Sequence, residues 1–134
     1  RNISNSTKIY FKGLVSRDLT IEHMLEADVC ISLSKGEGLP IAILEAMYSG
    51  CFMVLSTIPP HKEVSPPSNR CFFVDIDNRD EIINSLDYVK QNIEKLKNER
   101  EISKDYSVSN FGVNNMLESY KQVYDSLSSD NQQN

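Results

Sequence analysis

The chain has 134 residues, 40% hydrophobic and 25% charged, a balance that excludes both a disordered chain and a membrane bundle. Its length supports a single domain with a real core. A net charge of −5 argues against nucleic acid as a partner, since neutralising phosphates needs a basic surface.

Lys8-Ile9-Tyr10-Phe11 reads as a first strand, closed by Gly13. Asp18 or Thr20 can cap a short helix on which Ile21, Met24 and Leu25 recur at helical spacing. The apolar run from Asp28 through Val29, Cys30, Ile31 and Ser32 to Leu33 reads as a buried strand. Two glycines, Gly36 and Gly38, then break the pattern. Pro40 sits where a helix would begin, pre-set in φ and needing no N–H. That helix runs through Ala46 and Met47 and stops at Gly50, which suits the left-handed position after a helix. Phe52 to Leu55 is the next strand, and Ile58-Pro59-Pro60 must leave the sheet because proline cannot donate to the ladder. Ser65 to Asn69 is a loop by composition, and Arg70 to Val74 reads as the last strand. From Asp77 the period changes: Ile82, Leu86, Val89, Ile93 and Leu96 form one apolar stripe on a helix of about five turns. A second helix is expected after Ser107 or Ser109, with Val113, Leu117, Tyr120, Val123 or Tyr124, and Leu127 on one side. Residues 128–134 read as a polar flexible tail after a domain spanning 1–127.

Strands alternating with helices indicate an α/β fold, a Rossmann-like parallel sheet with flanking helices and a ligand crevice at the strand C-termini. The segment from Ser34 to Glu45 places a Gly-containing turn and a helix N-terminus at such a crevice. Unpaired N–H groups and the positive dipole end there favour an anion such as a diphosphate. Two carboxylates flank the same point, Glu37 before the helix and Glu45 inside it, with seven residues between them. Carboxylates are poor phosphate ligands but good acceptors for sugar hydroxyls, so the combination suggests a nucleotide sugar. Glu45 lies in an otherwise apolar helix, where a carboxylate needs a partner. Gly36 and Gly38 let backbone approach a ligand, Leu39 and Ile41 offer their amides, and Ser34 either bonds a phosphate or ends the strand. Leu14 to Arg17 border the expected nucleobase position.

The cysteines, Cys30, Cys51 and Cys71, are odd in number and widely spaced, and read as buried thiols in a reducing compartment. No close Cys or His pairs suggest a metal. His23 and His61 read as surface or turn residues, and Glu63 as ordering its own turn. No apolar stretch approaches the roughly 18 residues of a membrane span, and no signal peptide is visible. The cations Lys8, Lys12, Arg17 and Lys35 are too scattered for a polybasic membrane patch.

The Glu37 to Glu45 segment resembles the Glu-x7-Glu signature of retaining glycosyltransferases of the two-domain GT-B fold, of the family 4 or group 1 type. Four further segments resemble that family in order: Lys8 to Gly13, Glu26 to Ser34, Gly50 to Ser56, and His61 to Val64. The resemblance covers residues 8 to 127 and implies a partial C-terminal, donor-binding domain. It makes Glu37 the catalytic-site acceptor for donor-sugar hydroxyls and Glu45 the acceptor for the ribose. Ser34, Gly36, Gly38, Leu39, Pro40 and Ile41 complete the donor site, with no metal or other cofactor. The implied activity is hexosyl transfer from a nucleoside diphosphate sugar to a glycan, lipid-linked or protein acceptor, as in polysaccharide biosynthesis. The alternative is a non-catalytic nucleotide-sugar-binding subunit that works with a separate acceptor-domain chain.

The family's donor domain has two more strand–helix units upstream of Lys8, preceded by an acceptor-binding N-terminal domain. The segment Lys8 to Phe11 is therefore expected to lie apart from the other three strands, and the chain alone is expected to be inactive. The principal diphosphate cations of the family lie in that upstream region, so the role is not transferred to Lys12, Arg17 or Lys35. The complete protein is expected in the cytoplasm or peripherally at the inner face of a membrane.

Overall fold

The computed structural model describes residues 8–130. Its elements are α1 (Arg17–Glu26), β1 (Val29–Ser32), α2 (Ile41–Tyr48), β2 (Phe52–Ser56), α3 (Pro59–Val64), a 3-10 turn at Ser68–Arg70, β3 (Cys71–Val74), α4 (Arg79–Gln91), α5 (Ile93–Asn98), α6 (Arg100–Phe111) and α7 (Val113–Asp130). The three strands form one parallel sheet in the order β1-β2-β3. Register pairs Ser32 with Leu55 and Ser56 with Val74, so the C-terminal ends of all three strands lie along one edge.

β2 is central and wholly buried, as its uninterrupted apolar run requires of a parallel strand covered on both faces. Its residues alternate between two cores. Met53 and Leu55 face one side with Ile43, Ala46 and Val64, against α2 and α3. Phe52 and Val54 face the other with Val74, Val89 and Leu96, against α4 and α5. Helices on both faces of a parallel sheet make this a doubly wound α/β arrangement, as the alternation of patterns predicts.

Local structure corrects several expectations. Lys8 to Phe11 forms no strand, and Phe11 and Leu14 are almost fully exposed at 96% and 103%. No described strand lies beside this segment to supply a hydrogen-bond ladder. α1 is capped by Ser16, whose Oγ accepts from the Leu19 N–H at 3.3 Å, and not by Asp18 or Thr20. Ile58-Pro59-Pro60 leaves the sheet by starting α3, where prolines at the first helical positions lose no hydrogen bond. The single long helix expected after Asp77 is broken at Asn92. Leu86 turns outward, and Ser85 occupies the buried position, donating to Ile82 O at 2.7 Å.

α6 is absent from the sequence reading because its inward face is Ser103 and Ser107, which carry no apolar period. α6 ends at Gly112, where a Cβ would lie 2.5 Å from the Val108 carbonyl, and the last helix starts only at Val113. α7 carries the expected apolar side, but Leu117, Tyr120, Tyr124 and Leu127 are all more than half exposed. It continues through Ser128 to Asp130, while residues 131–134 lie outside the described residues.

Candidate functional site

The loop from Leu33 to Pro40 and the start of α2 occupy the C-terminal edge of the sheet. Pro40 is buried and serves as the residue before the helix, with φ −81° and no side-chain cap. Its carbonyl accepts from the N–H groups of Ile43 and Leu44 at 3.0 and 3.2 Å. The Ile41 N–H turns back onto the Leu39 carbonyl at 2.9 Å, so an amide expected to face a phosphate is engaged within the loop here. Among the described residues the Ala42 N–H meets no backbone acceptor, leaving it as a donor at the helix tip. Gly36 and Gly38 are exposed, and a Cβ on either would meet nothing within 4 Å. Leu39 and Ile41 project outward, 69% and 54% exposed.

Glu37 anchors a polar cluster at the ends of β1 and β2. Its Oε1 accepts from Ser32 Oγ at 3.4 Å and lies 3.3 Å from His61 Nε2. On its other side the imidazole Nδ1 is 3.0 Å from Ser56 Oγ and 3.3 Å from Ser56 O. Ser56 Oγ in turn donates to the Ser34 carbonyl at 2.7 Å, and the hydroxyls of Ser34 and Ser32 are 3.3 Å apart. The Ser34 hydroxyl above all, with His61 and Ser32, holds the Glu37 carboxyl below the usual carboxylate range, against a smaller opposing effect of desolvation.

His61 is therefore no surface or turn residue: it is fully buried on α3 and joins the loop after β1 to the end of β2. The prolines before it read as chain-leaving signals and hid its inward direction. A signal was nevertheless available, since Pro59-Pro60 can open a helix whose third residue turns back toward the sheet edge. His23 is half-buried, and its Nε2 is enclosed without a hydrogen-bond partner. Glu63 is exposed on α3.

Glu45 lies one turn into α2 and finds the partner that its apolar surroundings demand in Arg17, whose Nη2 is 2.5 Å from Oε1. The approach is close but lacks the direction of a hydrogen bond, so Oε1 is buried with an ion pair and no aligned donor. The Arg17 side chain is 75% exposed, against 19% for Glu45, and water screens the pair from one side. The two residues share a wall of a cavity of about 710 Å³ with Ile21, Tyr48, Ser49 and Phe111. Glu37 lies outside that cavity, so the two carboxylates face different spaces.

Two arginines hold the opposite end of α2. Arg100 Nη2 donates to Ser49 O at 2.9 Å and to Leu25 O at 2.7 Å, and Arg70 Nη2 donates to Gly50 O at 3.0 Å. Gly50 takes φ +84°, the left-handed conformation expected of it at this helix end. Cys51 and Cys71 are buried and Cys30 half-buried, all as free thiols. Among the described residues no group of three or more His, Cys, Asp or Glu is placed to hold a metal ion, and no helix is long and apolar enough to cross a membrane.

No curated protein and no solved structure matches the chain. The family model for glycosyl transferases group 1 matches residues 1–106, which contain the whole sheet, the Glu37 loop, α2 and α3. A match over most of the chain, joined to a parallel sheet whose loop-to-helix junction sits at the strand C-termini, establishes that the chain belongs to the group 1 glycosyl transferases.

Proposed function

We propose that this chain is the donor-binding part of a retaining glycosyltransferase of the Glu-x7-Glu type, taking a hexosyl residue from a nucleoside diphosphate sugar. In this reading the diphosphate lies at the uncapped N-terminus of α2, where the dipole and the Ala42 N–H favour negative charge. Glu45 accepts from the ribose hydroxyls and Glu37 from the donor sugar. The leaving diphosphate needs charge neutralisation, supplied by the helix end and by cations of the first part of the donor domain, upstream of Lys8. The chain alone then lacks turnover, and no metal is required.

One observation carries the reading. Glu45 stands at a cavity wall with its side chain 19% exposed and Oε1 enclosed against Arg17, so a ligand hydroxyl would be met by the part of the carboxylate that remains accessible. The paired replacements Glu45→Gln and Glu37→Ala in the full-length enzyme test it. A charge-assisted hydrogen bond is worth about 1.5–3 kcal/mol against about 1 for a neutral one, so Glu45→Gln should weaken nucleoside diphosphate binding several-fold. Glu37→Ala should leave that binding nearly unchanged and depress turnover severely, because the free diphosphate has no sugar for Glu37 to hold. Calorimetric titration beside donor-sugar rates reads both. Equal losses of nucleotide affinity in the two variants would sink the division of labour.

A further inference from the structure

The hydrogen bonds around His61 fix where its protons lie. Ser56 Oγ has a single hydrogen, and it is given to the Ser34 carbonyl at 2.7 Å. At its 3.0 Å contact with His61 Nδ1 the same oxygen must therefore accept. The Ser56 carbonyl, 3.3 Å from Nδ1, can only accept. Both contacts require a hydrogen on Nδ1.

A neutral imidazole with that hydrogen would turn a bare lone pair from Nε2 toward Glu37 Oε1, 3.3 Å away, which is itself an acceptor. Two acceptors facing each other at that distance repel, and the ring is fully buried, so water does not intervene. A second ring proton removes the conflict and turns the contact into a charge-assisted bond.

We infer that His61 is a positioning residue for Glu37: doubly protonated, it fixes Oε1 at the sheet edge and so sets the direction in which the carboxylate meets a ligand. Ser32 Oγ also falls on Oε1, and the Ser34 hydroxyl holds the same carboxyl. The depressed Glu37 carboxyl agrees with the proton residing on the ring. Glu37 is the charged group paired with His61 among the described residues. Ser32, Ser34 and Ser56 are the neutral members of the cluster, and Lys62 and Glu63 beside His61 on α3 are exposed. The inference rests on the sugar-facing reading of Glu37 only for what the carboxylate is used for.

The chain holds two histidines, so 15N-histidine NMR resolves His61 from His23 in the intact chain. Near neutral pH, both His61 ring nitrogens should resonate in the N–H range. In Glu37→Gln, on an exposed loop, the side-chain amide can donate to Nε2, and that nitrogen alone should move to the lone-pair range. His61→Gln, which keeps an N–H within reach of Oε1, should leave the titration of the 13C-labelled Glu37 carboxyl closer to wild type than His61→Leu does. A wild-type His61 with an unprotonated Nε2, or a ring unaffected by Glu37→Gln, would overturn the inference. If both protons are found while Glu37→Ala retains full sugar transfer, the sugar reading fails and the positioning bond stands.

Discussion

Arg70 is a guanidinium sealed inside the protein, and its removal should be among the costliest single changes available. It has no solvent exposure. Nε donates to Ser103 Oγ at 3.0 Å, Nη1 to Leu96 O at 2.7 Å and Nη2 to Gly50 O at 3.0 Å, while the group lies 5.6 Å from the Phe52 ring centroid. These bonds tie the start of β3 to α5, to α6 and to the end of α2. Burial lowers the guanidinium's pKa from its ordinary value, and nearby Glu99 opposes that shift without touching the group. Arg70→Ala would leave two buried carbonyls and a hydroxyl without their donors, each costing about 1–3 kcal/mol, above a new cavity. Water entering that cavity would recover part of the loss, so a net cost of about 4 kcal/mol is expected, in line with breaking buried charged networks. For a domain of this size that corresponds to a fall in melting temperature of roughly 12–20 °C. Arg70→Met keeps most of the volume but none of the donors and should still cost about 3 kcal/mol. Thermal and urea unfolding followed by circular dichroism would measure both. A fall below about 4 °C for Arg70→Ala, or a Met variant as stable as wild type, would refute the hydrogen-bond reasoning.

Three other outcomes follow from the same structure. Gly50→Ala puts a Cβ on a φ of +84°, 3.0 Å from Arg100 Cβ and 3.3 Å from its carbonyl, and should cost about 1–3 kcal/mol in urea denaturation. The Glu37 carboxyl is held low by Ser34, His61 and Ser32, so its contribution to stability is complete above the unfolded-chain pKa and is lost as pH falls through the lower native value; the acid limb of the stability–pH curve should be shallower in Glu37→Gln than in wild type. Burial pushes the Cys30 thiol up to about 11 and the Cys71 thiol up to about 12, so both should resist a thiol-specific reagent at mildly alkaline pH until urea exposes them; rapid labelling of either in the folded chain would contradict their burial.

What the sequence disclosed follows from how each part signals. β2 and α2 were legible because burial on both faces forces an unbroken apolar run, and because Pro40 and Gly50 mark the two ends of a helix. α6 was hidden because it packs through Ser103 and Ser107, small polar side chains that leave no hydrophobic period. The strand read at Lys8 to Phe11 failed for a different reason: strand propensity does not pair a segment that has no neighbouring strand. Glu37 and Glu45 were singled out by their seven-residue spacing and the family resemblance it carries, but their partners His61 and Arg17 lie 24 and 28 positions away, and only tertiary structure brings them together.

The two ends of α2 differ in a way that bears on binding. At the C-terminal end Arg100 and Arg70 satisfy the carbonyls of Ser49 and Gly50, as cations should at the negative end of the dipole. At the N-terminal end no side chain caps the helix, and the preceding proline has no hydrogen to give or oxygen side chain to offer. An absent cap costs about 1 kcal/mol in a helix of ordinary stability. Here the buried face of Ile43, Ala46 and Met47 and the two arginines hold the helix in place without it. The positive end is thereby left electrically open beside two carboxylates already fixed by His61 and Arg17. A diphosphate could take up that open end without displacing any protein group that caps it, whereas replacing Pro40 with Ser or Asp would supply a competing oxygen. Pro40→Asp should therefore weaken nucleoside diphosphate binding, by adding a cap and a negative charge at the helix tip, with some loss of folding stability because position 40 is buried. Calorimetry beside thermal unfolding separates the two effects, and undiminished affinity in a stably folded variant would place the diphosphate elsewhere.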